Sequence, residues 1–293
     1  MTDQAPTHEL PERGPAANAE LALLLEVAGT PKPGNVDRHR DLADLRFEHF
    51  LAGAVGARLG LDRAAAGDPV GEAFETAVAG MSQQSGGNTQ FGCLLLLIPL
   101  VRAAAAGDCT REGVREVCEA TTVDDAAGFY RAFEHVDVAV ADPPEEMDAL
   151  DVRRGADAVP TLRECDLTLF DVMEASASPG DGHGSDANAR EWVDGFPRTF
   201  RAAEAIRADE GPIADRAARA FLELLAEEPD TLVATNHGRE VAREVCDRAA
   251  SVDSLAAAEE WAAELVDRGI NPGTTADLTA AALFVALERG VDV

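Results

Sequence analysis

The sequence predicts an all-α protein in which one large domain of many helices surrounds a buried apolar helix. Apolar residues recur at helical spacing along most of the chain, as in Leu21, Leu24, Leu25 and Ala28. Strand signals are weak, because period-two alternation and β-branched runs are almost absent. The stretch that ends at Leu100 is too apolar for a surface helix, so we expect it to lie at the centre of a helical array.

The helices are predicted from their periodicity and from the residues that interrupt it. The first covers residues 19–28 and ends at Thr30-Pro31-Lys32-Pro33-Gly34, where two prolines remove backbone donors. The other helical patterns cover residues 44–59, 71–81, the apolar stretch to 100, two short helices within 111–139, then 162–175, 188–208, 213–226, 231–250, 254–268 and 275–289. We expect a long connection over residues 142–160 and a loop rich in Gly, Ser and Asp over residues 176–187.

The charge balance is strongly acidic, with 54 Asp and Glu against 25 Lys and Arg and a formal net charge of −29. The acidic residues are spread along the whole chain and Lys32 is the only lysine, which favours a surface adapted to molar salt, where screening reduces self-repulsion. The sequence supplies no basic face for a phosphate backbone, so we expect no nucleic-acid partner. A small anionic ligand can still be bound by a few local cations.

Cysteine usage and the apolar segments indicate a cytoplasmic protein with no membrane contact. The five cysteines have no CxxC spacing, so we expect reduced core residues and neither a disulfide framework nor a zinc site. The polar N-terminal segment has no secretory apolar region, and the longest apolar run is too short to span a bilayer. We expect a disordered tail over residues 1–15 and one helical domain over residues 16–293.

The first candidate site is the segment from Glu26 to Arg38, which contains the only lysine. Two prolines restrict the backbone on both sides of Lys32, as a phosphate-binding point charge requires. Asp37 is then placed to hold Mg²⁺ against those phosphates. Glu26 is a carboxylate in a strip of small residues that leaves room for a ligand. The structural alternatives are a helix terminator with a solvated lysine, and a solvated polar face around Glu26.

The second candidate site precedes the buried helix. Gly86 and Gly87 stand before its N-terminus, where free N–H groups and the helix dipole can meet an anion. Asn88 or Thr89 is expected to cap the first turn. A loop with a good N-cap explains the segment equally well, and Gly92 favours function because it permits close approach on the first turn.

The third candidate combines Asp230-Thr231 with His237-Gly238 about two turns later. Local sequence favours a structural interpretation, because Asp230 suits an N-cap and a lone histidine is usually structural or exposed. A fourth stands at the start of the last helix, where Thr274 and Asp277 have the spacing of a capping box. The same position suits Asp277 equally as a ligand of a metal or a ribose hydroxyl. His183, among acids in the loop over residues 176–187, indicates a solvated loop and not a metal cluster.

Taken together, the order of these motifs resembles the triphosphoribosyl-dephospho-CoA synthase family. The strongest match is Glu26-Val27 followed by Pro31-Lys32-Pro33-Gly34 and Val36-Asp37-Arg38. Further segments that resemble the family are Asn88-Thr89 with Gly92, Asp230-Thr231 with Gly238, and Pro272-Gly273 with Ala276-Asp277-Leu278. The similarity extends over roughly residues 20–290, with poor agreement between about 105 and 225.

The resemblance implies an all-α enzyme that transfers the triphosphoribosyl group of ATP to the ribose 2′-hydroxyl of dephospho-CoA and releases adenine. This reaction makes a precursor of a lyase prosthetic group. It implies ATP and Mg²⁺ at the site, with Glu26, Asp37 and Asp277 as catalytic candidates and the two aspartates as metal candidates. The residues expected to bind ATP and its phosphates are Lys32, Arg38, Gly86, Gly87, Asn88, Thr89, Asp230, Thr231, His237 and Gly238.

Two departures from the family pattern remove cationic groups from the expected site. Gln90-Phe91 stands where the family has His-Lys, and Thr235-Asn236-His237 stands where it has His-Arg-Gly. These changes leave two alternatives to the family reaction. One is a transferase that uses ATP with another acceptor in cofactor biosynthesis. The other is a non-catalytic helical module that binds a nucleotide or a carrier protein.

Overall fold

The computed structural model describes residues 13–143, 145–178 and 185–293. Residues 1–12, which make up most of the predicted tail, and the loop residue His183 lie outside the described residues. Within those ranges the chain is helical and forms no β-strand, and its one extended pairing is an isolated bridge between Asp37 and Arg40. The prediction of an all-α fold is confirmed.

The α-helices of the described residues are numbered in chain order. They are α1 (Pro15–Ala28), α2 (Phe47–Ala66), α3 (Val70–Met81), α4 (Phe91–Ala105), α5 (Arg111–Glu119), α6 (Val123–Ala132), α7 (Val159–Glu164), α8 (Leu169–Ala177), α9 (Ala187–Asp194), α10 (Pro197–Ala208), α11 (Ile213–Glu227), α12 (Thr231–His237), α13 (Arg239–Ala249), α14 (Leu255–Asp267) and α15 (Gly273–Glu288). Two 3₁₀ helices, Glu145–Leu150 and Val152–Ala158, occupy the predicted long connection before α7.

Helix α4 lies at the centre of the molecule, as its composition predicts. It packs against α1, α2, α3 and α15, and every side chain from Cys93 to Val101 is buried. Pro99 lies inside this helix and lacks the N–H that would bond to the carbonyl of Leu95. The indole N–H of Trp192, on α9, donates to that carbonyl at 3.0 Å. This bond satisfies the freed acceptor and fixes α9 against α4.

Helix α15 is a second central helix, which the sequence did not reveal as such. Its side chains are buried without a break from Leu278 to Leu287. It packs against α1, α4, α10 and α11, and its many alanines let these neighbours approach closely. Because α4 and α15 are in contact, their N-terminal turns can share one site.

Three predicted helices are each two helices in the structure, so these parts of the prediction are wrong. The chain turns at Asp166 between α7 and α8, at Phe196 between α9 and α10, and at Gly238 between α12 and α13. The φ angles of these residues are 52°, 57° and 88°, positive values that a right-handed helix does not contain. The break at Gly238 gives α13 a direction of its own.

The apolar side chains form a main core and a smaller second core. The main core includes α1 to α4, α6, α10 and α15, with Phe74, Phe91 and Phe129 in mutual ring contact. The second core joins α11, α13 and α14 around Phe221 and Trp261. None of the helices in the described ranges has both the length and the apolar character needed to cross a bilayer.

Candidate functional site

A cavity of about 1270 Å³ lies where α1, α4, α8, α9, α12, α13 and α15 meet. Part of its wall is polar, part is apolar, and α13 contributes two arginines. Its polar residues include Glu26, Asn35, Asn88, Thr89, Cys93, Asn188, Thr231, Asn236, Asn271 and Asp277. The apolar wall comes from α6, α8 and the segment between α6 and α7. One cavity therefore combines groups that can bind ions, sugars and apolar chains.

Asp277, near the start of α15, is the carboxylate best placed for chemistry in this cavity. Its Oδ2 accepts a hydrogen bond from Nδ2 of Asn188 at 2.9 Å, and its Oδ1 accepts one from Sγ of Cys93 at 3.2 Å. Burial raises the pKa of Asp277 to about 7, and the charges of Asp230 and Glu26 act in the same direction. A carboxyl group with this pKa is effective as a proton acceptor at neutral pH.

The capping box predicted for Thr274 and Asp277 is not formed. Helix α15 begins at Gly273, after Pro272, without a hydrogen bond from a capping side chain. The hydroxyl of Thr274 instead accepts from the backbone N–H of Leu232 at 3.2 Å, and so joins α12 to α15. The carboxylate of Asp277 is consequently directed to the cavity, which favours the ligand interpretation over the capping one.

Gly92 makes room for this carboxylate on the first turn of α4. A β-carbon at this position would lie 2.0 Å from Oδ2 of Asp277 and 2.8 Å from Nδ2 of Asn188. Both distances are far below van der Waals contact, so a β-carbon here would displace the side chains of Asp277 and Asn188. The close approach expected of Gly92 is therefore to the protein's own carboxylate.

Glu26 and Lys32 form a buried ion pair beside the cavity. Lys32 has no exposed surface, and its Nζ donates to Oε1 of Glu26 and, at 3.0 Å, to Oδ1 of Asn35. The amide of Asn35 donates in turn to Oδ1 of Asn271 at 2.8 Å. Burial raises the pKa of Glu26, while Lys32 opposes that shift. Glu26 lines the cavity but Lys32 does not, so the ammonium lies against a carboxylate and is not presented to a ligand.

Asp37 is buried and holds the loop after α1 together. Its carboxylate accepts hydrogen bonds from four groups: the hydroxyl of Thr30 at 2.8 Å, the backbone N–H of Lys32 at 3.2 Å, the backbone N–H of His39 at 2.8 Å and the guanidinium of Arg40 at 2.7 Å. These donors occupy both oxygens, and Asp37 does not line the cavity. This environment does not suit a metal ligand. Arg38 is exposed and also lies outside the cavity wall.

The loop before α4 reaches the cavity through only two of its residues. Asn88 and Thr89 line the cavity, and Oδ1 of Asn88 accepts from the backbone N–H of Phe91 at 3.1 Å, as expected of a cap. Gly86 and Gly87 lie outside the wall, and Gly87 has a φ of 75° that forms the turn. The glycines therefore shape the loop, while the two polar residues face the cavity.

The segment around Asp230 joins helices and contributes one residue to the cavity. Asp230 caps α12 and also accepts from the backbone N–H and the hydroxyl of Thr275, at 2.8 and 2.7 Å. Thr231 lines the cavity. His237 is exposed and bonds through Nε2 to the carbonyl of Gly269 at 3.0 Å, outside the wall, and Gly238 is the break between α12 and α13. These contacts agree with the structural interpretation of Asp230.

Arg239 and Arg243, which the sequence did not single out, are the cationic side chains of the cavity wall among the described residues. They stand four residues apart on α13, so their side chains lie on the same face of the helix. The remaining charged lining residues are acidic. The sequence pattern that could have identified them is a pair of arginines at helical spacing directly after Gly238. These arginines supply positive charge that the two departures from the family pattern had removed.

The described residues do not form a metal site of their own. No group of three His, Cys, Asp or Glu side chains in the ranges given above is placed to hold a metal ion. Asp277 has Asn188 and Cys93 as its partners, and Asp37 is occupied by donors.

A cavity that combines a carboxyl group of raised pKa with two arginines suits a group-transfer enzyme, and comparison with known proteins gives that class. The family model for ATP:dephospho-CoA triphosphoribosyl transferase matches residues 12–292, and the chain belongs to that family. A crystal structure from Archaeoglobus fulgidus, described as a candidate triphosphoribosyl-dephospho-CoA synthase, is similar with a TM-score of 0.67 and 28% sequence identity, over 82% of this chain and 99% of that chain. A comparison with curated proteins finds no match. The resemblance drawn from the motifs is thus confirmed, and the chain is a transferase.

Proposed function

We propose that the cavity transfers the triphosphoribosyl group of ATP to the 2′-hydroxyl of dephospho-CoA. The bond between C1′ of ATP and N9 of adenine breaks, and a bond forms between C1′ and the acceptor oxygen. Adenine takes up one proton from solvent and leaves as the neutral base, which balances the proton lost by the acceptor hydroxyl. The observation that carries this proposal is Asp277, a carboxyl group with a pKa of about 7 on the wall of a cavity that also contains two arginines.

Asp277 accepts the proton of the acceptor hydroxyl. The residue lines the cavity, while Asn188 and Cys93 hold its two oxygens in place. Glu26 provides negative charge for the sugar carbon, which becomes positive as adenine departs. Lys32 acts as a positioning residue, because its ammonium opposes the rise that burial causes in the pKa of Glu26 and holds that carboxylate in the wall.

Arg239 and Arg243 bind the triphosphate. Guanidinium groups match phosphate oxygens in a bidentate arrangement, and their place on one helical face lets them contact neighbouring phosphates. Asn88 and Thr89, which also line the cavity, are further candidates for contact with the phosphates. This arrangement replaces the assignment of Lys32, Arg38 and His237, which do not line the cavity.

The apolar wall receives the pantetheine arm of the acceptor. Phe133, Leu150, Val172 and Met173 belong to this wall. Asp277 and the two arginines line the same cavity as this apolar wall. The volume of about 1270 Å³ also exceeds the roughly 300–1,000 Å³ of pockets for a single drug-sized ligand. Two substrates therefore have room side by side.

Mg²⁺ is part of this proposal as a companion of ATP, held by the phosphate oxygens. A cytoplasmic location also belongs to the proposal, because ATP is supplied there and all five cysteines are free thiols. The acidic composition supports activity at molar salt. No observation favours a non-catalytic module or a different acceptor. The motif segments meet at one cavity, since Asn88 and Asp277 line it and Lys32 binds Glu26 on its wall. Asp230 holds the first turn of α15.

The test compares variants of Asp277 and of the α13 arginines in molar KCl with MgATP and dephospho-CoA, with adenine release as the readout. Asp277→Asn is expected to lower kcat by about 10²- to 10⁴-fold. In the wild type, kcat is expected to rise as pH increases through about 7, because only the ionised carboxylate accepts a proton. An unchanged kcat in Asp277→Asn would refute the assignment.

Arg239→Gln and Arg243→Gln are expected to raise the KM for ATP, each by about 10- to 100-fold, because each removes a charged hydrogen-bonding partner of phosphate. The matched control is Arg248→Gln, an exposed arginine of the same helix outside the cavity wall. A KM for ATP that changes equally in all three variants would show that the triphosphate binds elsewhere.

A further inference from the structure

Asn188 has a hydrogen-bonding capacity that the protein itself leaves unused. The residue lies on α9, lines the cavity and is only 7% exposed. Its Nδ2 donates to Asp277, whereas its Oδ1 is buried and has no hydrogen-bond partner among the described residues. A buried carbonyl oxygen without a donor is rare in folded proteins and indicates a missing partner.

The position of this oxygen is fixed by the surrounding structure. Trp192, one turn further along α9, bonds to the carbonyl of Leu95 on α4. Asp186 caps the N-terminus of α9 through the backbone N–H of Ala189 at 2.8 Å. Because Nδ2 is engaged by the carboxylate, the amide of Asn188 cannot be turned over without the loss of that bond. Oδ1 therefore remains an acceptor beside the proposed proton acceptor.

The missing partner must be a hydrogen-bond donor that carries no negative charge. A carbonyl oxygen accepts hydrogen bonds and donates none, so it can bind a hydroxyl group but not a phosphate. Asp277 is its direct neighbour and Glu26 lines the same cavity, so negative charge on a ligand is disfavoured at this point. The acceptor ribose carries a hydroxyl on the carbon next to the reacting one, and this 3′-hydroxyl is a neutral donor beside the 2′-oxygen.

We propose that Asn188 is a specificity-determining residue whose Oδ1 accepts a hydrogen bond from the 3′-hydroxyl of the acceptor ribose. This contact selects an acceptor with a free 3′-hydroxyl and disfavours one with a 3′-phosphate, such as CoA itself. The inference rests on the proposed function, because it places the 2′-hydroxyl at Asp277. Asn188 thereby has two roles, since its amide nitrogen positions the proton acceptor and its oxygen reads the neighbouring hydroxyl.

The test measures kcat/KM with dephospho-CoA, its 3′-deoxy analogue and CoA, for the wild type and for Asn188→Ala. The wild type is expected to use the 3′-deoxy analogue about 10- to 100-fold less well than dephospho-CoA, as for the loss of one buried hydrogen bond. In Asn188→Ala the ratio of kcat/KM for dephospho-CoA to kcat/KM for the 3′-deoxy analogue is expected to fall to nearly one. A purely structural loss of activity would lower kcat/KM for both acceptors equally and would leave their ratio unchanged. Asn236→Ala, another amide on the cavity wall, is the matched control and is expected to keep the wild-type ratio.

Two results would overturn the inference. If the wild type uses the 3′-deoxy analogue as well as dephospho-CoA, the 3′-hydroxyl is not read, and this comparison needs no variant to fold. If Asn188→Ala keeps the wild-type ratio, another residue reads the hydroxyl. In both cases adduct formation from dephospho-CoA would still support the proposed function. No adduct in the wild type would overturn the function and this inference together.

Discussion

Gly92→Ala is expected to inactivate the enzyme through Asp277 and not through the fold. The added β-carbon would lie 2.0 Å from Oδ2 of Asp277, whereas ordinary contacts begin at 3.4 Å. The carboxylate must therefore retreat by roughly 1 Å or more, and a displacement of about 1 Å at a reacting group costs about 10²-fold in rate. Alanine also favours the helix over glycine by up to about 1 kcal/mol, which partly offsets the strain in stability.

The assay for this prediction is a double-mutant cycle in kcat. Gly92→Ala, Asp277→Asn and the double variant are compared with the wild type by adenine release at saturating substrates. If the alanine acts by moving the carboxylate, it should cost little further activity once Asp277 has been replaced. Gly14→Ala serves as the control, because its β-carbon would have no atom within 4 Å.

Two outcomes would refute this reasoning. Near wild-type kcat in Gly92→Ala would show that the carboxylate need not lie against α4. Fully additive losses in the double variant would show that Gly92 and Asp277 act independently. Circular dichroism in the same buffer distinguishes both outcomes from a failure to fold.

Further predictions concern the buried contacts, the metal and the salt. Lys32→Met should lower the free energy of unfolding in urea by about 3–5 kcal/mol, because it leaves Glu26 buried without its partner; the added change Glu26→Gln should recover much of that loss, and no recovery would contradict the pairing. Trp192→Phe should lower the free energy of unfolding by about 1–3 kcal/mol, because the carbonyl of Leu95 then has no donor. Trp261→Phe removes no hydrogen bond found in the described residues and should lower it less. EDTA should abolish adenine release without lowering the unfolding temperature of the ligand-free protein, since the described part of the chain has no cluster for a metal. A lower unfolding temperature in EDTA would reveal a metal site in the ligand-free protein. Raising KCl from about 0.1 M to about 1 M shortens the Debye length from about 10 Å to about 3 Å and should raise the unfolding temperature, because the net charge is −29; an unchanged temperature would contradict the assignment to high salt.

The sequence predicted the helices and the buried position of α4, because both depend on local periodicity and composition. The breaks at Phe196 and Gly238 were missed, because both lie inside stretches that were predicted as single helices. The central position of α15 was also missed. A helix of alanines and threonines has no strongly apolar face, and its burial depends on neighbours that are distant in sequence.

The candidate site was only partly predictable for a similar reason. Asp277, Asn88 and Thr89 were identified from their motifs and do line the cavity. The direction of a side chain depends on its tertiary partners, so the inward turn of Lys32 towards Glu26 was not visible in a loop between two prolines. Asn188 and Arg243 lie in ordinary amphipathic helices, and only the assembled fold shows that they share a cavity.

The most direct test of the account is a product analysis of the wild-type protein with MgATP and dephospho-CoA in molar KCl. Adenine is measured by chromatography and the acceptor adduct by mass spectrometry, with Asp277→Asn in parallel. The account predicts one adenine for each adduct that carries triphosphoribose on the 2′-oxygen, and a loss of both products in the variant. Adenine release without this adduct, or an adduct formed equally well by Asp277→Asn, would contradict it.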